Sequence, residues 1–206
     1  MTEGAYQRLE EITSHQEALS LLKEGNLRYA TNQALKQDVS AEKRNFLVEK
    51  GQKPFAVIVS CSDSRLPPEI VFDQGLGDLF VIRVAGNILG PLTMGSVEYG
   101  VEHLQAPLLV ILGHNHCGAV KATVDGGEAP GSIGAIVERI RPSVEMVRSS
   151  GATGAAVYEH AEDHNIKAMV AEVQASPVIE EFLHKGSLRV LGAKYCQETG
   201  QVTFYE

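Results

Sequence analysis

The sequence holds no tryptophan, and aromatic residues make up only 6% of its 206 positions. Long apolar runs are also missing. The longest, "PFAVIV" and "PLLVILG", fall far short of the roughly 18 to 20 residues that a membrane-spanning helix requires. No hydrophobic segment opens the chain, so neither an export signal nor an anchor is expected, and a cytoplasmic protein is. Basic residues are too few and too scattered for a nucleic-acid or anionic-lipid footprint: 18 Lys and Arg face 26 Asp and Glu, for a formal charge of −8. Small molecules and protein partners remain. Cysteine is scarce, with Cys61, Cys117 and Cys196 forming an odd set that suits no disulfide framework and contains no C-x-x-C pair for dithiol redox chemistry. No repeat, low-complexity tract or linker divides the chain. One domain is expected over residues 1–206, with about 1–50 as an N-terminal helical arm and about 54–206 as the core.

Within that core, short continuous apolar runs mark strands buried on both faces, as in a parallel sheet. "FAVIVSC", "DLFVIRVAG" and "PLLVILGH" have this character, and "SLRVLGAKY" shows it more weakly. Helical patterns lie between them: "TMGSVEYGVEHL", a stretch from about Gly131 to Arg148 interrupted at Pro142, "AEDHNIKAMVAEVQA", and "SPVIEEFLHKG" with Ser176 as N-cap and Gly186 as stop. The arm reads as helical too, with Ser14 as N-cap, Glu17 three residues on, and Leu19, Leu22 and Leu27 at helical spacing. "QETGQVTFYE" suggests a turn and a short edge strand. Strands alternating with helices predict an α/β fold, a mainly parallel central sheet flanked by helices.

Ligands of such sheets bind beyond the carboxyl ends of the strands, where Cys61 follows "FAVIVS" and His114 follows "PLLVILG". Cys117 comes three positions after His114, so two thiols and one imidazole converge on one edge. Two thiolates and an imidazole suit zinc, and a three-ligand set leaves a fourth position to water, which is the catalytic arrangement. Taken singly, each cysteine also reads as a small buried hydrophobe and His114 as a loop histidine with its hydrogen bonds satisfied. A dinucleotide site is not supported, since "GLGDLF" lacks the third glycine and precedes a strand.

"CSDSR", followed about fifty residues later by "GHNHCGAV", resembles the C-x-D-x-R and H-x-x-C signatures of the β-class carbonic anhydrases. The resemblance extends through "LFVIRVAGN" to the closing "LGAKY" and "TG". It implies one zinc ion per subunit, held by Cys61, His114 and Cys117, with Asp63 orienting the zinc-bound water and Arg65 keeping that carboxylate off the metal. It further implies a plant-type substrate pocket. Gln52, nine residues before Cys61, matches the glutamine that binds substrate there, where the bicarbonate-regulated group carries a tryptophan that this chain lacks altogether. Phe80 and Tyr99 match apolar pocket positions, partly supplied across a dimer interface. Plant enzymes read "RNVAN" where this chain reads "RVAGN", which makes Ala85 the small pocket residue.

The activity so implied is reversible hydration of carbon dioxide to bicarbonate and a proton, in a homodimer or a dimer of dimers, free in the cytoplasm or packaged with a carbon-fixing compartment. With two thiolates on the metal, its water is expected to be less acidic than in a three-histidine site. His116, His103 and Tyr99 are candidate proton relays. Two other readings keep the metal: a zinc hydrolase of CS2 or COS, and a non-catalytic structural-zinc or interaction module closed by a fourth ligand, for which Cys196 is the one unused thiol.

Overall fold

The structure, a computed structural model, describes residues 11–205. β1 (Ala56–Ser60) and β3 (Leu108–His114) are buried at every position, because their Val, Ile and Leu side chains leave the sheet on both faces. With β2 (Leu79–Arg83), β4 (Arg189–Tyr195) and β5 (Val202–Tyr205) they form one sheet in the order β2-β1-β3-β4-β5. The first four are parallel and β5 runs antiparallel on the edge. An α/β sheet flanked by helices is therefore what the chain forms.

Eight α-helices are described: α1 (His15–Ala30), α2 (Ala41–Lys50), α3 (Pro68–Val71), α4 (Pro91–Glu102), α5 (Gly118–Asp125), α6 (Ile133–Ser149), α7 (Ala156–Gln174) and α8 (Pro177–His184). The arm is thus two helices joined by residues 31–40, and its first ten positions lie outside the described residues. α7 packs on β3 and β4, and α4 on β1 and β2. None of the described helices is long and apolar enough to cross a membrane.

Two expectations need correction. α6 runs unbroken through Pro142, which is exposed. The carbonyl of Glu138, which loses its amide partner there, is also on the solvent side and can be hydrated, while Ile140, Ser143, Val144 and Val147 hold the opposite side buried. In α1, Leu19 and Leu22 are buried but Leu27 is 62% exposed. Gly25 and Asn26 take the buried face there instead, because this later turn of α1 docks on backbone, while Leu19 and Leu22 pack in the core. The Asn26 amide donates to the carbonyls of Val71 (3.1 Å) and Gly200 (2.8 Å), and its Oδ1 accepts the Val202 N–H at 2.8 Å.

Ser14 and Ser176 hold the N-cap positions expected of them, although the Ser176 hydroxyl donates to Glu98 at 2.7 Å rather than capping α8.

A methyl group on Gly25 would stand 1.8 Å from the Phe72 carbonyl oxygen, an overlap that only backbone movement can relieve. Gly25→Ala is therefore expected to destabilise the fold by about 1 to 3 kcal/mol in thermal unfolding, although alanine gains about 1 kcal/mol of helix propensity. An unchanged or raised midpoint would show that α1 does not sit as described.

Candidate metal centre

The strand order reverses between β1 and β3: the chain leaves β1 towards β2 and leaves β3 towards β4. A crevice opens at such a switch point beyond the carboxyl ends. Ser60 pairs with Leu112, so Cys61, immediately after β1, comes level with Gly113 and beside His114, the last residue of β3. His116 adopts a left-handed backbone (φ 55°), which turns the chain so that Cys117, at the start of α5, faces back to the same point.

The donor atoms of Cys61, His114 and Cys117 all lie within 4.8 Å of one another, and the three residues are 5%, 1% and 2% exposed. Bond lengths of about 2.0 to 2.3 Å to zinc separate tetrahedral donors by about 3.5 to 4 Å, so the cluster has the size the ion requires.

Two further observations fit a cation. His114 Nε2 is buried with no hydrogen-bond partner, whereas Nδ1 lies 2.8 Å from the Asn115 carbonyl and 2.9 Å from Gln197 Nε2. A proton on Nδ1, donated to that carbonyl, leaves the Nε2 lone pair aimed at the cysteines. The thiols meanwhile divide. The Cys117 thiol hydrogen bond, opposed by burial and aided by His114 and the Gly86 N–H, pulls Cys61 down to about 4. Contact with that thiolate, together with burial, pushes Cys117 far up. A cation bound there would displace the protons of the thiols.

The Gly86 N–H donates to Cys61 Sγ at 3.2 Å, from a tight turn (Ala85–Asn87) in which Gly86 has φ 75° and a Cβ would lie 2.7 Å from Ile140. Ala85 adjoins this contact.

Asp63 and Arg65 form a two-pronged pair beside the cluster. Arg65 Nε donates to Oδ1 at 2.9 Å and Nη2 to Oδ2 at 2.7 Å, while the Arg65 backbone N–H also reaches Oδ1 at 2.9 Å. The guanidinium is the main reason that Asp63 titrates well below the usual carboxylate range. Asp63 Oδ2 is 4.0 Å from His114 Nε2.

Gln52, Phe80 and Tyr99 lie elsewhere in the protomer. Phe80 pairs with Val57, four residues before Cys61, which is about 13 Å along the strand. Tyr99 sits with Phe80 (ring centroids 6.0 Å apart) and stacks on His103 at 4.9 Å, and Gln52 precedes β1 altogether. All three belong to the amino edge of the sheet and the metal ligands to the carboxyl edge. Cys196 stands outside the ligand cluster, with its sulfur 3.3 Å from Glu198 and 3.9 Å from the Asn115 amide.

Several supporting residues carried no motif. Arg83 donates to the Cys61 carbonyl (3.2 Å) and the Asp63 carbonyl (2.6 Å), fixing the loop after β1. Glu198 accepts from Asn115 and bonds the His116 ring, both at 2.6 Å. On α7, Glu162 Oε1 accepts the Cys117 N–H at 3.1 Å and Asn165 donates to the Gly86 carbonyl at 2.9 Å. A sequence signal for Glu162 existed: it falls in the same helical stripe as Ile166, Met169 and Val173, where a charge is out of place.

Residues 56–202 match the profile of the family described as carbonic anhydrase. A carbonic anhydrase of Mycolicibacterium smegmatis is 40% identical over 190 residues, covering 90% of each chain. Among solved structures, the β-carbonic anhydrase CcaA is similar with a TM-score of 0.73 at 27% identity, over 93% of this chain and 87% of that one. A Coccomyxa β-carbonic anhydrase in complex with acetazolamide gives 0.69 at 28% identity, over 90% and 85%.

Elemental analysis of the purified protein is expected to find one zinc per chain. Cys61→Ser and Cys117→Ser should abolish it and Cys196→Ser should leave it unchanged; loss of zinc from the Cys196 variant would make the centre a closed four-ligand site.

Proposed function

The chain belongs to the β-class carbonic anhydrases, and on that premise we propose that its Cys61, His114 and Cys117 hold a zinc ion at which carbon dioxide is reversibly hydrated to bicarbonate and a proton. The observation that carries this reading is the buried three-donor cluster with Asp63 beside it and no fourth protein ligand among the described residues. A zinc ion held there would supply an open coordination position that lowers the pKa of water from about 15.7 towards about 7 and so provides a nucleophile near neutral pH.

The protein's own part is positional. Asp63, kept ionised by Arg65, offers the nucleophile a hydrogen-bond acceptor that fixes its proton and turns a lone pair towards the substrate carbon. Arg65 engages both carboxylate oxygens, so the carboxylate cannot swing over and close the open position. Arg83 and the Gly86 N–H hold Cys61 and its loop against movement during turnover.

Gln52, Phe80 and Tyr99 serve as the substrate-binding group of a plant-type pocket, with Ala85 on the metal side. Since the first three stand at the opposite edge from the metal, a second copy of the chain supplies them, in a homodimer or a dimer of dimers. The exposed apolar surface supports this: α2 buries none of its residues in the protomer, and Val48 and Leu92 are 87% and 88% exposed. Val48→Asp and Leu92→Asp are expected to lower the mass seen by light scattering and to cut activity at least about tenfold with zinc retained, since clefts shared between subunits fail without the partner. Full activity in a monomer would place the pocket within one chain.

Stopped-flow assays should show carbon dioxide hydration that a zinc chelator removes and that climbs as pH rises above about 7; a flat profile from pH 6 to 9 would contradict the assignment. Asp63 is not the source of that rise. Its pKa is lowered, so it is ionised throughout this range, and its stabilising pairing is lost only as pH falls below the usual value of about 3.9 and through the lowered one. Asp63→Asn and Arg65→Ala should each reduce kcat/KM by about 100-fold or more at constant zinc content, as misplacement of a reacting group does.

A further inference from the structure

Glu162 is 6% exposed, a carboxylate on the buried stripe of α7. One oxygen accepts the Cys117 N–H at 3.1 Å, and the other lies 3.1 Å from Lys194 Nζ on β4. Lys194 is itself only 16% exposed, and its remaining bonds run to Asp163 Oδ1 (2.7 Å) and the Glu159 carbonyl (3.4 Å). Tyr205, from β5, donates to the same Asp163 oxygen at 3.0 Å. The chain of contacts thus starts at a ligand of the metal centre and ends on the edge strand. Burial works against the lysine charge, but the Asp163 hydrogen bond and the field of Glu162 outweigh it and raise its pKa.

A carboxylate facing a cluster of two sulfurs adds negative charge where negative charge already collects. Without a cation behind it, the Glu162 carboxylate would turn towards the cavity of about 790 Å³ that Cys117, Glu162 and Lys194 help to line, where water can solvate it. That turn frees the Cys117 N–H.

We propose that Lys194 is a positioning residue for the metal centre: by pairing with Glu162 it keeps that carboxylate on the Cys117 N–H, and so holds the third ligand where the other two can share an ion with it. The inference rests on Cys117 being a metal ligand. α7 then braces both halves of the centre, through Glu162 on the Cys117 side and through Asn165 and the Gly86 turn on the Cys61 side.

The test is zinc retention against a competing chelator, followed as metal released from the intact protein, with unfolding of the metal-free form recorded alongside. Lys194→Met, which the cavity accommodates, should weaken zinc binding about 10- to 100-fold, the range for lost supporting contacts. Glu162→Gln keeps an acceptor for Cys117 without a charge, so the Glu162→Gln/Lys194→Met double variant should return to within about threefold of Glu162→Gln alone. A double variant as weak as Lys194→Met, or a Lys194→Met protein that holds zinc like the wild type, overturns the proposal. If Lys194→Met does not fold, Glu162→Leu against Glu162→Gln decides instead: the leucine variant must lose zinc and the glutamine variant keep it. Wild-type protein that binds no zinc would overturn the metal assignment itself, an outcome distinct from equal binding by every variant.

Discussion

The register of β1 against β3 governs everything at the carboxyl edge. Parallel pairing sets Ser60 opposite Leu112, so the chain leaves β1 at Cys61 level with Gly113 and one residue short of His114. A wholly buried strand places His114, whereas Cys61 and Cys117 stand beyond the strand ends and depend on local chain geometry as well. A slip of one residue would turn a ligand to the other face of the sheet. The left-handed residue at His116 and the glycine turn at Gly86 are strained or special conformations, and both lie next to a ligand.

Converging two thiols and an imidazole in an apolar interior concentrates charge, and the surroundings are arranged to contain it. Arg65 answers Asp63, and Lys194 answers Glu162. The exposure of these pairs differs in a way that matches their tasks. Arg65 is 57% exposed and sits beside the cluster, whereas Glu162 is buried and Lys194 half-buried, and the two reach the centre through the backbone N–H of Cys117. On the buried stripe of α7, the Glu162 carboxylate is tolerated because both of its oxygens are engaged, one by the Cys117 N–H and the other by Lys194.

What could be read from the sequence was what depends on local pattern. Continuous apolar runs identify the strands, and ligands placed just after two such runs meet wherever the runs pair. What escaped depends on non-local partners. Leu27 had the right spacing for burial, but α1 docks through Gly25 and Asn26 onto the carbonyls of Val71 and Gly200, which lie 45 and 174 residues away in the chain. Pro142 interrupts a pattern but not a helix, because it and Glu138, whose carbonyl it leaves unpaired, both lie on the exposed side of α6. Arg83 and Lys194 looked like ordinary strand residues, since nothing local distinguishes a lysine that meets a buried glutamate from one that meets solvent.

The division of the sheet into two edges bears on how such an enzyme can be built at all. The carboxyl edge of one protomer carries a complete set of donors with the carboxylate and guanidinium beside them. Phe80 and Tyr99, with His103 stacked on the latter, gather about 13 Å away at the amino edge, next to helices whose apolar side chains find no cover in the protomer. Carbon dioxide has neither charge nor a strong hydrogen-bonding group, so an apolar wall is the surface suited to receive it. On the reading proposed for this chain, that wall comes from a second copy. Metal assembly is then a property of the single chain and substrate capture a property of the pair, so the two can be disrupted independently by different substitutions.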